Sequence, residues 1–112
     1  MERLFVYGTL GPGRPNEHVL GDIGGEWEAA WVPGTLHESG WGAELGFPGI
    51  RLDSTGQRVE GFLFSSAALV DHWGMLDAFE GEAYSRVSTQ VGRPGKPAID
   101  AWVYTLKQAP AD

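Results

Sequence analysis

The chain contains no cysteine, which excludes disulfide bonds, zinc–thiolate sites and thiol nucleophiles together. Basic residues are also scarce, because 8 Lys and Arg stand against 15 Asp and Glu and give a net charge of −7. Nucleic acids and anionic membrane surfaces need clustered basic side chains, so this balance argues against both as main partners. No stretch approaches the roughly 18 apolar residues of a transmembrane helix, and the first residues lack the pattern of a signal peptide. We therefore expect a cytoplasmic protein.

The size of the chain is that of one ordinary domain, with 112 residues, of which 42% are hydrophobic and 21% charged. Glycine is abundant: its 17 residues are about twice the usual share of ~7%, which predicts tight turns and close backbone approaches. No repeat or linker divides the sequence. Residues 1–112 are therefore expected to form a single domain.

Six short segments rich in β-branched and aromatic residues, separated by Gly, Pro and Asp, are predicted to be strands. Their ranges are 4–7, 27–32, 34–37, 57–64, 84–91 and 98–106. Two helices are predicted: a short one over 16–20, stopped by the glycine that follows, and a long one over 66–79 that Gly81 ends as a left-handed cap. Because strands and helices do not alternate strictly, the pattern favours an α+β fold with a mixed, mostly antiparallel sheet. The glycine content allows the sheet to curl into a small barrel and leaves its closure open.

Glu80 is out of place in the pattern of the long helix. Leu69, Trp73 and Leu76 form an apolar stripe, and four residues further along the same face a carboxylate stands where an apolar side chain is expected. Burial and the C-terminal end of a helix dipole both raise the pKa of a carboxyl group. A carboxyl with a raised pKa suits a general base near neutral pH. The alternative is a last turn that exposes Glu80 to solvent or pairs it with Arg86.

A glycine-rich loop follows the first predicted strand. Successive backbone N–H groups from Tyr7-Gly8-Thr9-Leu10 to Gly13 are suited to hold an anion. The loop lacks the Gly-Lys-Ser/Thr of a triphosphate site and the glycine spacing of a dinucleotide site, so it favours a carboxylate over ATP. The alternative interpretation is a tight connection between strand and helix.

Tyr84 and Arg86 alternate onto one face of the strand that follows Glu80. They are suited either to orient a carboxylate and line a pocket, or to form a cross-strand contact and a salt bridge. Tyr104 is interpreted as a core or cross-strand aromatic residue. The three histidines have no metal-ligand spacing, so no metal site is predicted.

Five segments, in this order, resemble the motifs of a known family. They are Phe5-Val6-Tyr7-Gly8-Thr9-Leu10, Val32-Pro33-Gly34-Thr35-Leu36, Phe47-Pro48-Gly49, Val59 to Phe64, and the stretch from Leu76 through Glu80 to Arg86. The family is the gamma-glutamylcyclotransferase-like superfamily. The Tyr-Gly-Thr-Leu motif is similar to that of its small branch, which includes bacterial-type proteins and gamma-glutamylamine cyclotransferases. The resemblance extends from about Phe5 to Tyr104.

The resemblance implies a small mixed barrel flanked by helices, with its cavity at one end. It also implies an enzyme that converts a small gamma-glutamyl amide or amine to 5-oxoproline plus the free amine, without a metal or organic cofactor. Glu80 would be the catalytic acid/base. The backbone of the Tyr-Gly-Thr-Leu segment would hold the α-carboxylate of the substrate. The implied substrate-binding residues are Tyr7, Gly8, Thr9, Leu10, Tyr84 and Arg86.

Two other functions stay open at this point. A non-catalytic member of the same fold would bind a small carboxylated ligand or a protein partner. A lyase-like member would trim a gamma-glutamyl-protected biosynthetic intermediate with the same residues. The loop from Ser39 to Gly49 is the expected determinant of the substrate, and the five tryptophans suit a core or a subunit interface equally.

Overall fold

A computed structural model of the chain describes residues 2–7, 11–14, 17–37, 49–81 and 84–106. Its elements are, in chain order, β1 (Glu2–Val6), α1 (Glu17–Ile23), β2 (Glu26–His37), β3 (Gly49–Leu52), β4 (Gln57–Ser66), a 3₁₀ helix (Ala67–Asp71), α2 (Trp73–Glu80), β5 (Tyr84–Arg93) and β6 (Lys96–Leu106). No helix among these residues is long and apolar enough to cross a membrane.

The strands form one sheet in the order β1-β4-β2-β3-β6-β5. Most neighbours are antiparallel, whereas β6 runs parallel to both β1 and β3. The pairing of β1 with β6 closes five strands into a barrel, and β5 is the additional strand beside β6. The expected α+β fold with a small, mixed, mostly antiparallel barrel and flanking helices is confirmed.

Alternation along the strands divides the apolar residues into two clusters. The first cluster contains strand residues alone and fills the barrel: Phe5, Ala30, Val32, Ile50, Leu63, Val91, Ala101 and Val103. The second cluster joins the outer face of the barrel to the helices: Leu4, Val6, Leu20, Phe64, Leu69, Leu76, Tyr84 and Tyr104. The helices are therefore held in place by outward-facing residues of β1, β4, β5 and β6.

Two predicted boundaries in the first half of the chain were wrong. The short helix extends through Gly21 to Ile23 and ends before Gly24, whose φ is +84°. The predicted second and third strands are one strand, β2, because the ladder with β4 continues across Pro33 from Glu26 to Gly34. Pairing with a long neighbouring strand overrides the local signal of a proline.

The predicted long helix consists of two helices. Ser66 caps the first, with its side-chain oxygen accepting from the Ala68 N–H at 3.1 Å. That first helix is a 3₁₀ turn, which His72 ends by donating its N–H to the Leu69 carbonyl at 2.9 Å. Leu69 stands four residues before Trp73, which is the spacing of an α-helical face, so the sequence pattern predicts one continuous α-helix and gives no sign of the 3₁₀ turn.

Candidate active site

Three chain segments far apart in sequence meet at one end of the barrel. The Tyr7 hydroxyl, just after β1, donates to the main-chain carbonyl of Tyr104 on β6 and accepts from the Ile50 N–H on β3 at 3.2 Å. We call this end of the barrel, marked by these three residues, the barrel mouth. The mouth is part-buried, and the predicted Tyr-Gly-Thr-Leu loop begins at it.

Glu80 is the last residue of α2. The helix stops there because Gly81 takes φ +88° and ψ −177°, a region that is essentially restricted to glycine and differs from the left-handed helical cap expected. The Gly81 N–H donates to the Asp77 carbonyl at 3.1 Å and closes the last turn. Burial raises the pKa of Glu80 to about 7. A carboxyl in this state exchanges a proton readily near neutral pH.

Three tyrosines, one on each of three strands or their ends, interact electrostatically with Glu80. Burial, first, and the negative charge of Glu80 raise the pKa of Tyr84 to about 12. The pKa values of Tyr7 and Tyr104 are also raised, with burial as the largest cause in both and the charge of Glu80 as a smaller one. All three phenols therefore stay protonated near neutral pH, and Glu80 lies within electrostatic reach of the barrel mouth.

A second carboxylate, Asp77, lies one turn before Glu80 on α2. The Arg86 side chain donates from Nε to one Asp77 oxygen at 2.9 Å and from Nη2 to the other at 3.4 Å. The Tyr104 hydroxyl donates to Asp77 at 2.7 Å. These bonds, the Arg86 bond first, lower the pKa of Asp77. Asp77 is therefore an ionised partner of β5 and β6, in contrast to its neighbour on the helix.

The Arg86 guanidinium is further held by two indole rings. Its central carbon lies 4.4 Å from the Trp73 ring centre and 4.8 Å from that of Trp102. The ion pair of Arg86 in the structure is thus with Asp77 and not with Glu80. The predicted contact of Arg86 with substrate stays a prediction.

Two cavities lie near these groups. One, of about 380 Å³, is bounded by Asp77, Arg86 and the two tyrosines Tyr84 and Tyr104. The other, of about 330 Å³, is bounded by residues that include Tyr7, Gly11, Arg14 and Phe62. Of the predicted site residues, Tyr84 and Arg86 thus line the first cavity and Tyr7 lines the second.

Part of the predicted site lies outside the described residues. This holds for Gly8, Thr9 and Leu10, and for residues 39–48 of the predicted specificity loop, of which Gly49 begins β3. Within the residues that the structure describes, no group of His, Asp and Glu side chains is arranged to hold a metal ion. Asp77 and Tyr104, by contrast, line the first cavity together with Tyr84 and Arg86, although the sequence assigned neither a role in the site.

Comparison with protein families decides the relationship of the chain. The model of the AIG2-like gamma-glutamyl cyclotransferase family matches residues 4–112. The chain belongs to this family. The family acts on small gamma-glutamyl substrates, and its match covers both the loop after β1 and the stretch around Glu80.

Several solved structures have the same fold as this chain. The chain is 29% identical to an AIG2-like protein from Mus musculus, with a TM-score of 0.69 over 98% of this chain and 80% of that one. It is 25% identical to a protein from Arabidopsis thaliana, with a TM-score of 0.69 over 97% of this chain and 72% of the other. A Pyrococcus horikoshii protein, at 16% identity and a TM-score of 0.67 over 99% of this chain and 82% of the other, shows the fold alone. A search of curated protein sequences gave no match.

Proposed function

We propose that the chain is a gamma-glutamyl cyclotransferase that converts a small gamma-glutamyl amide or amine to 5-oxoproline and the free amine. The observation that carries the proposal is the placement of Glu80: a partly buried carboxyl with a pKa of about 7, on the end of α2, within electrostatic reach of Tyr7 at the barrel mouth. The family relationship supports the class of reaction.

The proposed reaction begins with proton removal. The α-ammonium group of a gamma-glutamyl compound cannot attack while protonated, so the Glu80 carboxylate first takes its proton. The freed nitrogen then attacks the γ-carbonyl carbon of the same molecule and forms the C–N bond of a five-membered ring. Because the attack is intramolecular, the protein has to hold a folded conformer and supply proton transfer.

The second half of the reaction returns the proton. The tetrahedral intermediate breaks its bond to the leaving nitrogen, and Glu80 donates the proton that this nitrogen needs to leave as an amine. The Glu80 carboxylate then takes the second proton of the ring nitrogen, which leaves a neutral lactam, and passes it to the departing amine, which becomes an ammonium ion. The products are 5-oxoproline and the free amine, and no metal or organic cofactor enters the balance. We assign the α-carboxylate to the backbone of the loop from Tyr7 to Leu10, and a wall of the site to Tyr84.

The experiment measures 5-oxoproline release from a panel of gamma-glutamyl dipeptides and gamma-glutamyl amines. Wild type is compared with Glu80→Gln, and with Glu26→Gln as a matched control on the exposed start of β2. We expect release by wild type and the control, and at least a thousandfold less by Glu80→Gln, roughly the loss expected of a catalytic proton-transfer group. Calorimetric binding of 5-oxoproline by Glu80→Gln then separates a lost base from a lost fold. A fully active Glu80→Gln overturns the mechanism, and binding without turnover in the wild type favours a ligand-binding module.

A further inference from the structure

The Arg86 guanidinium has two carboxylates of α2 on its side of the protein. Asp77 and Glu80 are three residues apart on the helix, a spacing at which side chains are neighbours, with Cβ atoms about 5–6 Å apart. Arg86 lies two residues after Tyr84 on β5, on the same face of the strand as that neighbour of Glu80. Which carboxylate Arg86 binds is therefore decided by local contacts.

All the described contacts of the guanidinium favour Asp77. The bidentate pair with Asp77 fixes the two planar groups against each other, a geometry that only Arg provides. Trp73, one turn before Asp77, and Trp102 on β6 hold the guanidinium from its faces. The charge is thus kept toward the start of α2, away from the end where Glu80 lies.

The charged and titratable groups that interact with Glu80 and with Arg86 are consistent with an Arg86 charge kept apart from Glu80. In the described part of the chain, Glu80 interacts electrostatically with Tyr7 on the β1 side, Tyr84 on β5 and Tyr104 on β6. The groups that raise the pKa of Arg86 are Asp77, first, and then Tyr104 and Glu2. Burial is the cause of the raised pKa of Glu80.

We propose that Asp77 is a positioning residue for Glu80: it holds the Arg86 guanidinium on the Trp73 side of α2 and so leaves the Glu80 carboxyl free to exchange a proton with substrate. The meaning of this arrangement for catalysis rests on the proposed function. The arrangement itself does not, and it can be measured without turnover. Tyr104 assists by donating its hydroxyl to the same Asp77 carboxylate.

Removal of the Asp77 charge makes Glu80 the nearest remaining carboxylate partner on α2 for the Arg86 guanidinium. An opposite charge within about 4–6 Å favours the ionised form of a carboxyl. Glu80 then becomes a weaker base that is tied in an ion pair. Asn is the appropriate substitution, because its side-chain oxygen still accepts the Tyr104 hydrogen bond and its shape is that of Asp.

The experiment follows the Glu80 carboxyl by carbon-detected NMR titration in wild type, Asp77→Asn, Asp77→Glu and Asp77→Asn/Arg86→Met. We expect a pKa of about 7 in wild type, and one about one pH unit lower or more in Asp77→Asn. It should return to the wild-type value in Asp77→Glu, which restores the anion, and in the double variant, which removes the guanidinium. Asp77→Ser replaces Asp77→Asn if the latter does not fold.

Asp100→Asn is the matched control, because Asp100 also accepts a side-chain hydrogen bond across β5 and β6, from Gln90, at an exposed position. It should leave the titration of Glu80 unchanged. A crystal structure of Asp77→Asn should place the guanidinium within 4 Å of Glu80. Three results overturn the proposal. The first is an unchanged pKa of Glu80 in Asp77→Asn, and the second is a guanidinium that stays on the two indoles in that variant. The third is a pKa of Glu80 that is as low in the double variant as in Asp77→Asn.

The turnover profile separates this proposal from the proposed function. If Glu80 titrates as expected in wild type and in all variants, but neither wild type nor any variant releases 5-oxoproline, the positioning role of Asp77 stands and the reaction is wrong. If wild type is active and Asp77→Asn retains both the wild-type pH profile and the wild-type titration, the reaction stands and the positioning role is wrong.

Discussion

Asp77 and Glu80 lie one turn apart on α2, and their carboxyl groups have pKa values displaced in opposite directions. Arg86 and Tyr104 bind Asp77 and lower its pKa, whereas burial raises the pKa of Glu80 to about 7. Two neighbouring carboxyls with separated pKa values are a recurrent feature of sites that carry out acid–base chemistry. One helix turn thus supplies an anchor to the sheet and a group that titrates near neutral pH.

The first prediction concerns the pH dependence of turnover. Glu80 must be ionised to take the ammonium proton, so kcat/KM should fall as the pH decreases through about 7. At one pH unit below that value we expect about tenfold lower kcat/KM than on the plateau, because about a tenth of the carboxyl is ionised. Initial rates of 5-oxoproline formation between pH 5 and 8.5 measure this, with thermal unfolding at each pH as the control for stability. A rate that stays flat from pH 6 to 8 contradicts the assignment of Glu80.

The second prediction concerns stability. The pKa of Glu80 is raised from 4.5 to about 7 by folding, so between these values the native state binds more protons than the unfolded state. The free energy of unfolding therefore decreases as the pH rises through this window, and the loss is complete above it. Glu80→Gln removes the loss and should be more stable than wild type by about 1–3 kcal/mol at pH 8 and about equal to it at pH 5.

Urea unfolding at the two pH values measures this difference. Glu26→Gln is the matched control: it makes the same substitution on an exposed side chain and should change the free energy of unfolding little at either pH. A Glu80→Gln variant that is less stable than wild type at pH 8 contradicts a buried, ionised carboxyl that costs stability.

Much of the fold could be predicted because β-branched and aromatic segments alternate between two environments. The β4, β5 and β6 strands were located within a few residues for that reason. β3 was not predicted as a separate strand, since its four residues are extended through pairing with β2 and β6. Short segments of this kind take their conformation from neighbours far along the chain, which a local pattern does not contain.

The candidate site was predictable where the signal was local and not where it depended on register. Glu80 could be singled out because it interrupts an apolar stripe on one helix. The Arg86–Tyr104 pair could not be derived from the hairpin turn: a two-residue turn that pairs Arg93 with Lys96 would set Arg86 opposite Val103. An irregularity between Val91 and Arg93 shifts the register by one residue, so Tyr104 faces Arg86 and reaches Asp77.

The third prediction tests the hydrogen bonds of the barrel mouth. Tyr7→Phe removes the hydroxyl that donates to the Tyr104 carbonyl and accepts from the Ile50 N–H. Ile50 is fully buried, so no water takes the place of the Tyr7 hydroxyl as the acceptor for its N–H. We therefore expect a loss of about 1–3 kcal/mol in the free energy of unfolding.

Tyr104→Phe provides the matched comparison for Tyr7→Phe. It also removes one phenol hydroxyl, but from Asp77, whose side chain is 47% exposed and can bind water instead. Urea unfolding should therefore show a smaller loss for Tyr104→Phe than for Tyr7→Phe. Equal losses would mean that the Tyr7 hydroxyl does not join the three segments of the mouth.

The fourth prediction concerns the close approach of β1 and β4 beside the mouth. Gly61 has no room for a side chain, since a Cβ there would overlap the Val6 carbonyl oxygen and lie 2.7 Å from the Phe5 ring. Gly61→Ala must push β1 away just before Tyr7, and we expect it to cost about 1–3 kcal/mol of stability, as overpacking does. Because Tyr7 begins the loop assigned to the substrate carboxylate, KM should rise as well.

Gly74→Ala makes the same substitution where space is open. Nothing lies within 4 Å of a Cβ at Gly74, and the residue is inside α2, where Ala is favoured over Gly by up to about 1 kcal/mol. The two variants should therefore change the free energy of unfolding in opposite directions, and Gly74→Ala should leave KM as it is. If Gly61→Ala is as stable as Gly74→Ala and binds substrate normally, β1 and β4 do not fix the position of the mouth, and the loop after Tyr7 is held by other contacts.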